Sequence, residues 1–174
     1  MKKFIYTILL LIVLTITSAR DIYAENIAAT SAILRIDAAE SDFDYRVENL
    51  KKFFERYNSP LTSYAEEFVT YADEYNLDYR LVPAITGVES TFGKRIPTDS
   101  YNAYGWANGE YQFSSWEDSI QHVSEVLKSS YIDRGVVSIH QIARVYAPPS
   151  VTWGGNVTFF VKKIDTLPLD FDII

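Results

Sequence analysis

The sequence predicts a mainly helical domain with a small β-hairpin lobe. Apolar residues recur at helical spacing through most of residues 45–166, which indicates amphipathic helices around one core. The segment 81–93 is apolar over most of its length and predicts a buried helix. Asn108-Gly109, with aromatic residues on both sides, favours a two-residue hairpin turn. Together these features predict an α+β domain in which a helical bundle surrounds a buried helix.

The first two helices are predicted by residues that repeat every three or four positions. In residues 45–57 these are Val47, Leu50, Phe53, Phe54 and Tyr57, and in residues 61–75 they are Leu61, Tyr64, Ala65, Phe68, Ala72 and Tyr75. Asn58-Ser59-Pro60 separates the two segments. Pro60 is expected to begin the second helix, because proline is tolerated in the first turn. Both segments are interpreted as scaffold helices.

The third helix, residues 81–93, carries a carboxylate at the edge of its apolar face. Glu89 lies within three or four positions of Ile85 and Phe92, so its side chain is predicted at the border of the core. Two interpretations follow: a structural ion paired with Arg or Lys, or a partly desolvated carboxylic acid that can donate a proton. Gly93 is expected to adopt the left-handed conformation that ends many helices.

Loop residues follow, and then three further helices. Tyr104 and Trp106 before the Asn108-Gly109 pair, and Tyr111 and Phe113 after it, predict two short strands. Ser114 or Ser115 is predicted to cap a helix whose apolar face is Trp116, Ile120, Val123, Leu127 and Tyr131. A second helix is expected from Ser138 to Tyr146, and a closing helix from Val157, Phe160, Val161 and Ile164.

The first 24 residues predict a secretory signal peptide. Lys2 and Lys3 precede a run from Phe4 to Thr17 that is almost wholly apolar, yet shorter than the roughly 20 residues of a membrane span. The alternative is an uncleaved anchor, which would be the protein's contact with a membrane. We therefore expect a secreted or cell-envelope protein. Residues 25–44 are interpreted as a linker or loosely docked arm, residues 45–166 as the folded domain, and residues 167–174 as a tail.

Composition excludes several classes of function. A net charge of −7 is a poor match for nucleic acid. With no cysteine and two histidines at no ligand spacing, His122 and His140, the sequence predicts no metal site and no cofactor. No Gly-x-Ser-x-Gly motif supports a serine hydrolase. The 174 residues suit one core, and we expect a monomer.

Four short motifs occur in a distinctive order. Glu89-Ser90-Thr91-Phe92-Gly93 is followed by Asn102-Ala103-Tyr104-Gly105-Trp106, by the helix start at residues 113–120, and by Tyr146-Ala147 with Trp153 beyond it. In this order they resemble the lysozyme-like superfamily, and within it the lytic transglycosylases and bacterial N-acetylglucosaminidases. The resemblance covers roughly residues 60–164.

The resemblance implies cleavage of the β-1,4 glycan strand of peptidoglycan, which would be the protein's partner. Glu89 would be the general acid, and Tyr146 would reach into the groove near it. The resemblance also implies a lysozyme-like fold in which the hairpin lobe forms one wall of the groove. The residues expected to bind substrate are Ser90, Thr91, Phe92, Tyr101, Asn102, Tyr104, Gly105, Trp106, Tyr111 and Trp153. The four aromatic residues from Tyr101 to Tyr111 would either stack on sugar rings or pack under the hairpin.

The reaction itself stays open at this point. An inverting hydrolase needs a second carboxylate roughly 6.5–9.5 Å from the acid, for which Glu110 is the best candidate and Asp99 a weaker one. A transglycosylase needs none, because a hydroxyl of the sugar attacks instead. A third alternative is a non-catalytic glycan-binding envelope protein with an ion-paired Glu89. A peptidase or amidase is disfavoured, since neither a metal site nor a nucleophile is visible.

Overall fold

The computed structural model describes residues 43–164, and these residues are mainly helical, as predicted. Six α-helices occur in this range: α1 Tyr45–Arg56, α2 Ala65–Glu74, α3 Leu81–Ser90, α4 Trp116–Val126, α5 Ile139–Tyr146 and α6 Trp153–Ile164. Short 3-10 helices are Pro60–Tyr64, Trp106–Gly109 and Ile132–Arg134, and α4 continues into a π-helical turn, Leu127–Tyr131. No helix in residues 43–164 is long and apolar enough to span a bilayer. The predicted signal peptide, most of the arm, and the tail lie outside the described residues.

Helix α3 is largely buried and packs most extensively against α6. Leu81 to Thr86 are all buried, which is the pattern expected of a helix covered on several sides. Phe92, just beyond the end of α3, has its ring centroid 5.3 Å from that of Phe53 in α1 and 5.0 Å from that of Phe160 in α6. The core is therefore closed around the carboxyl end of α3.

Helix α3 starts at the predicted residue but ends earlier than predicted. The helix starts at Leu81, so Pro83 lies in the first turn, where a backbone N–H would have no partner within the helix. At the other end the left-handed conformation begins at Thr91 (φ 54°) and continues through Phe92 (φ 58°) to Gly93 (φ 77°). The N–H groups of Thr91 and Phe92 both donate to the Thr86 carbonyl, which ends the helix two residues earlier than expected.

Two of the predicted helix starts are confirmed. Ser115 caps α4, since its hydroxyl accepts a hydrogen bond from the N–H of Asp118 at 3.0 Å. Ser138 caps α5 and forms a reciprocal capping box with Gln141.

The predicted β-hairpin lobe is wrong, although its turn is present. Asn108 and Gly109 both have positive φ, as a type I′ turn requires, and the N–H of Glu110 donates to the Ala107 carbonyl across them. No strand follows among the described residues. The reason is the buried amide of Asn102, which donates to the carbonyls of Trp106 and Tyr111 at 2.9 and 3.0 Å and accepts from the N–H of Trp106 at 2.9 Å. One side chain thus takes the backbone groups that a strand ladder would use.

Candidate active site

Glu89 lies in the last turn of α3, and its half-buried carboxylate faces a cleft of about 660 Å³. That volume is within the range of ligand-binding clefts. The segment between α3 and α4 and the residues after α5 form the walls. The residues that line the cleft are Glu89, Arg95, Pro97, Asn102, Tyr104, Gly105, Asn108, Gly109, Tyr146, Ala147, Pro148 and Pro149.

The Glu89 carboxylate is held by an indole N–H. Trp153 Nε1 donates to Glu89 Oε1 at 2.6 Å. Burial raises the pKa of Glu89, and the hydrogen bond from Trp153, which favours the charged form, opposes that rise in part. Within the described residues, no Lys, Arg or His nitrogen lies within 4.0 Å of this carboxylate. The site therefore contains a partly desolvated acid, and the ion-paired interpretation finds no partner in residues 43–164.

Tyr146 completes a layered arrangement beside the acid. Its ring stacks on the Trp153 indole, with centroids 5.0 Å apart and planes at 25°. Its hydroxyl donates to the Tyr104 carbonyl at 2.6 Å. Burial, and then the negative charge of Glu89, raise the pKa of Tyr146 well above its ordinary value. The phenol stays neutral, and its oxygen can still accept a hydrogen bond.

Gly105 forms the surface opposite the second carboxylate oxygen. Its φ of +67° is in the left-handed region, and a Cβ at this position would lie 2.9 Å from Glu89 Oε2. A side chain here would be strained and would also displace the carboxylate. Glycine therefore lets the loop backbone approach the acid.

Ser90 ties the end of α3 to the wall of the cleft. Its buried hydroxyl lies 3.0 Å from the Thr86 carbonyl and 2.9 Å from the Ala103 carbonyl, and it accepts from the N–H of Gly93 at 2.8 Å. One proton is shared between the two carbonyls. The hydroxyl thus fixes the position of the segment that leads to Gly105.

The structure brings together about half of the predicted site residues. Glu89, Asn102, Tyr104, Gly105 and Tyr146 line one cleft, and Trp153 bonds to the acid from behind. Trp106 lies in a smaller adjoining cavity that also includes Gly105 and Tyr146. Tyr101 packs edge-on against Trp116 at 5.4 Å, and the exposed Tyr111 stacks on His122 at 6.0 Å. Thr91 is half-buried in the left-handed turn.

Several predicted binding residues need a different role because their side chains are buried. Phe92 and Tyr104 are 1% and 0% exposed, so neither ring can stack on a sugar in this conformation. Ser90, Asn102 and Trp153 are also buried. These five residues support the site from beneath. Among the predicted residues that line the cleft, Glu89, Gly105 and Tyr146 are the three that are not buried.

Glu110, the predicted second carboxylate, is exposed beside the 3-10 helix and is not among the described residues that line the cleft. Asp99 is exposed as well. Within the described part of the chain, Glu89 is the one carboxylate that lines the cleft. Glu110 and Asp99 therefore do not line the cleft that Glu89 faces.

Sequence reasoning did not identify two features of the site. Arg95 lines the cleft, and its position shortly after the helix end was the available signal. The residues that follow Tyr146, from Ala147 to Pro149, also line it, although the prolines were interpreted only as a helix stop. Trp153 was expected to touch substrate, whereas it donates to the acid.

No protein-family model matches this sequence, and no curated protein matches it either. The class of protein must therefore be argued from the site itself.

Proposed function

We propose that this protein cleaves the β-1,4 glycan strand of bacterial peptidoglycan, with Glu89 as the general acid. One observation carries the proposal: a cleft of about 660 Å³ contains a half-buried carboxyl group whose pKa is raised and which contacts no cation among the described residues. A glycosidase needs such a group to remain protonated near neutral pH. The order of motifs around Glu89 supplies the substrate class.

In the proposed reaction the Glu89 carboxyl group gives its proton to the glycosidic oxygen as the bond to the anomeric carbon breaks. The hydrogen bond from Trp153 holds Oε1, which leaves Oε2, on the side of Gly105, to carry the proton. As the carboxylate becomes charged, the indole N–H stabilises it. Tyr146 stays neutral beside it and offers its hydroxyl oxygen to a sugar hydroxyl.

The second step distinguishes two chemistries. A hydrolase such as an N-acetylglucosaminidase or muramidase would add water to the anomeric carbon. A lytic transglycosylase would use a hydroxyl of the same sugar, whose proton returns to Glu89, so that an anhydro ring forms without water. The presence of a single carboxylate in the described cleft favours the transglycosylase, because that reaction needs no second acid.

The test is mass spectrometry of the soluble fragments released from purified peptidoglycan by the full-length protein. Glu89→Gln removes the acid with little change in shape, and Glu110→Gln is the matched control for the loss of a carboxylate. We expect Glu89→Gln to lower the rate by about 10²- to 10⁴-fold, as the loss of a general acid does, and Glu110→Gln to leave it unchanged.

The products decide the chemistry. Anhydro ends establish the transglycosylase, and reducing ends establish a hydrolase. If Glu110→Gln is as inactive as Glu89→Gln, the exposed carboxylate must move into the cleft. If the parent protein releases nothing yet binds the glycan, the non-catalytic envelope protein is the correct class.

A further inference from the structure

A third cavity, of about 330 Å³ and distinct from the one that includes Trp106, lies between α5 and the start of α6 and adjoins the cleft. Pro148 lines both cavities, so a polymer that fills the cleft can continue past Pro148 without leaving the surface. Arg144 and His140, from one face of α5, line this third cavity together with Ser150 and Val151. We call it the cationic pocket.

The chain around the cationic pocket differs in charge from the protein as a whole. Residues 135–164 contain no Asp or Glu, although the whole sequence has 23 of them. The same stretch carries Arg144, Lys162 and Lys163. The cavity thus lies inside an acid-free stretch of an acidic protein. A negatively charged ligand group meets no like charge from this stretch.

The polar side chains of the pocket are available to a ligand. Within the described residues, neither Arg144 nor His140 has a carboxylate within ion-pair distance, and both side chains are exposed. Ser150 accepts the N–H of Trp153 at 3.2 Å, which leaves its own proton to donate. Val151, which is 99% exposed, and Ala143 supply apolar surface. The guanidinium of Arg144 suits a planar carboxylate, which it can bind through two parallel hydrogen bonds.

We propose that the cationic pocket binds a carboxylate of the stem peptide carried by the glycan in the cleft. The inference rests on the proposed function, because the glycan must occupy the cleft for its peptide to reach past Pro148. Its consequence is specificity: the protein acts faster on glycan that carries acidic stem peptides than on bare glycan. The pocket lies outside the cleft that contains Glu89, so it affects substrate binding rather than the chemical step.

The test compares Arg144→Gln with Lys162→Gln, which removes an exposed cation of the same acid-free stretch from outside the pocket. Each full-length variant is assayed on stem-bearing peptidoglycan and on glycan whose stem peptides have been removed by an amidase. We expect Arg144→Gln to raise KM about five- to tenfold on the stem-bearing substrate with kcat unchanged, as the loss of one charge-assisted contact at an exposed site would do. On the stem-free glycan, Arg144→Gln and the parent should be equal, and Lys162→Gln should match the parent on both substrates.

A binding measurement separates failure of this inference from failure of the proposed function. Calorimetry with Glu89→Gln compares a soluble disaccharide-peptide fragment with the same disaccharide lacking its peptide, with and without Arg144→Gln. Tighter binding of the peptide form, lost in Arg144→Gln, supports the pocket even if the parent cleaves nothing. An equal loss on both ligands, or no loss on either, overturns it.

Discussion

Gly105→Ala tests whether the Glu89 carboxylate is the reacting group. The added Cβ would lie 2.9 Å from Oε2, whereas ordinary contact begins at 3.4 Å, so the oxygen must move by about 0.5 Å. A misplacement of about 1 Å can cost a factor of roughly 10² in rate, so about half that distance should cost roughly tenfold. The left-handed backbone adds a stability cost of about 1–2 kcal/mol for any residue with a Cβ.

Gly135→Ala is the matched control. Gly135 has a φ of +86°, and a Cβ there meets no atom within 4 Å, so it has the same backbone cost without a contact to the acid. We would measure urea unfolding and the initial rate of glycan release for both variants. Both should lose about 1–2 kcal/mol of unfolding free energy, and only Gly105→Ala should lose activity. Full activity of Gly105→Ala, or an equal loss of activity in the control, would refute the assignment of Glu89.

Three further predictions concern the groups around the acid. Trp153→Phe removes the N–H that favours the charged carboxylate, so the pKa of Glu89 should rise further. The alkaline limb of the pH–rate profile should then move to higher pH. An unmoved limb would show that the hydrogen bond does not act on the acid. Because burial raises the folded-state pKa of Glu89 above its unfolded value, ionisation costs stability as pH rises from the unfolded pKa through the folded one. Glu89→Gln should therefore be more stable than the parent above that window and equal to it below about pH 4, which urea unfolding at several pH values would check. Tyr146→Phe leaves the Tyr104 carbonyl without its hydroxyl donor and should lower the unfolding free energy by about 1 kcal/mol; an unchanged denaturation midpoint would mean that another donor takes its place.

The features that could be predicted from the sequence are those that depend on residues a few positions apart. The apolar spacing of residues 81–93 predicted a buried helix with Glu89 at the edge of the core, and the carboxylate is half-buried there. The serine caps of α4 and α5 were predicted for the same reason, since a cap involves residues only three positions apart.

Prediction failed where a single side chain competes with the backbone. The Asn108-Gly109 pair correctly indicated a turn with positive φ, but a turn does not determine what its flanks pair with. Asn102 satisfies those flanks instead, and nothing local distinguishes a buried asparagine from an exposed loop residue. The bond from Trp153 to Glu89 spans 64 positions and depends on how α6 docks, which no periodic pattern specifies.

The activity depends on the docking of α6, because that helix supplies the hydrogen-bond donor to Glu89. Glu89 comes from α3, Gly105 from the loop, and Trp153 from the first residue of α6, so a chain with α6 undocked retains the carboxylate but loses its donor and one face of its enclosure. Helix α6 packs more extensively against α3 than against any other helix, and its Phe160 contacts the ring of Phe92. Undocking α6 therefore opens the core itself, and heat should inactivate the protein at the temperature where the core around Phe53 and Phe92 melts. Amide hydrogen exchange in α6 would then report the fraction of competent molecules.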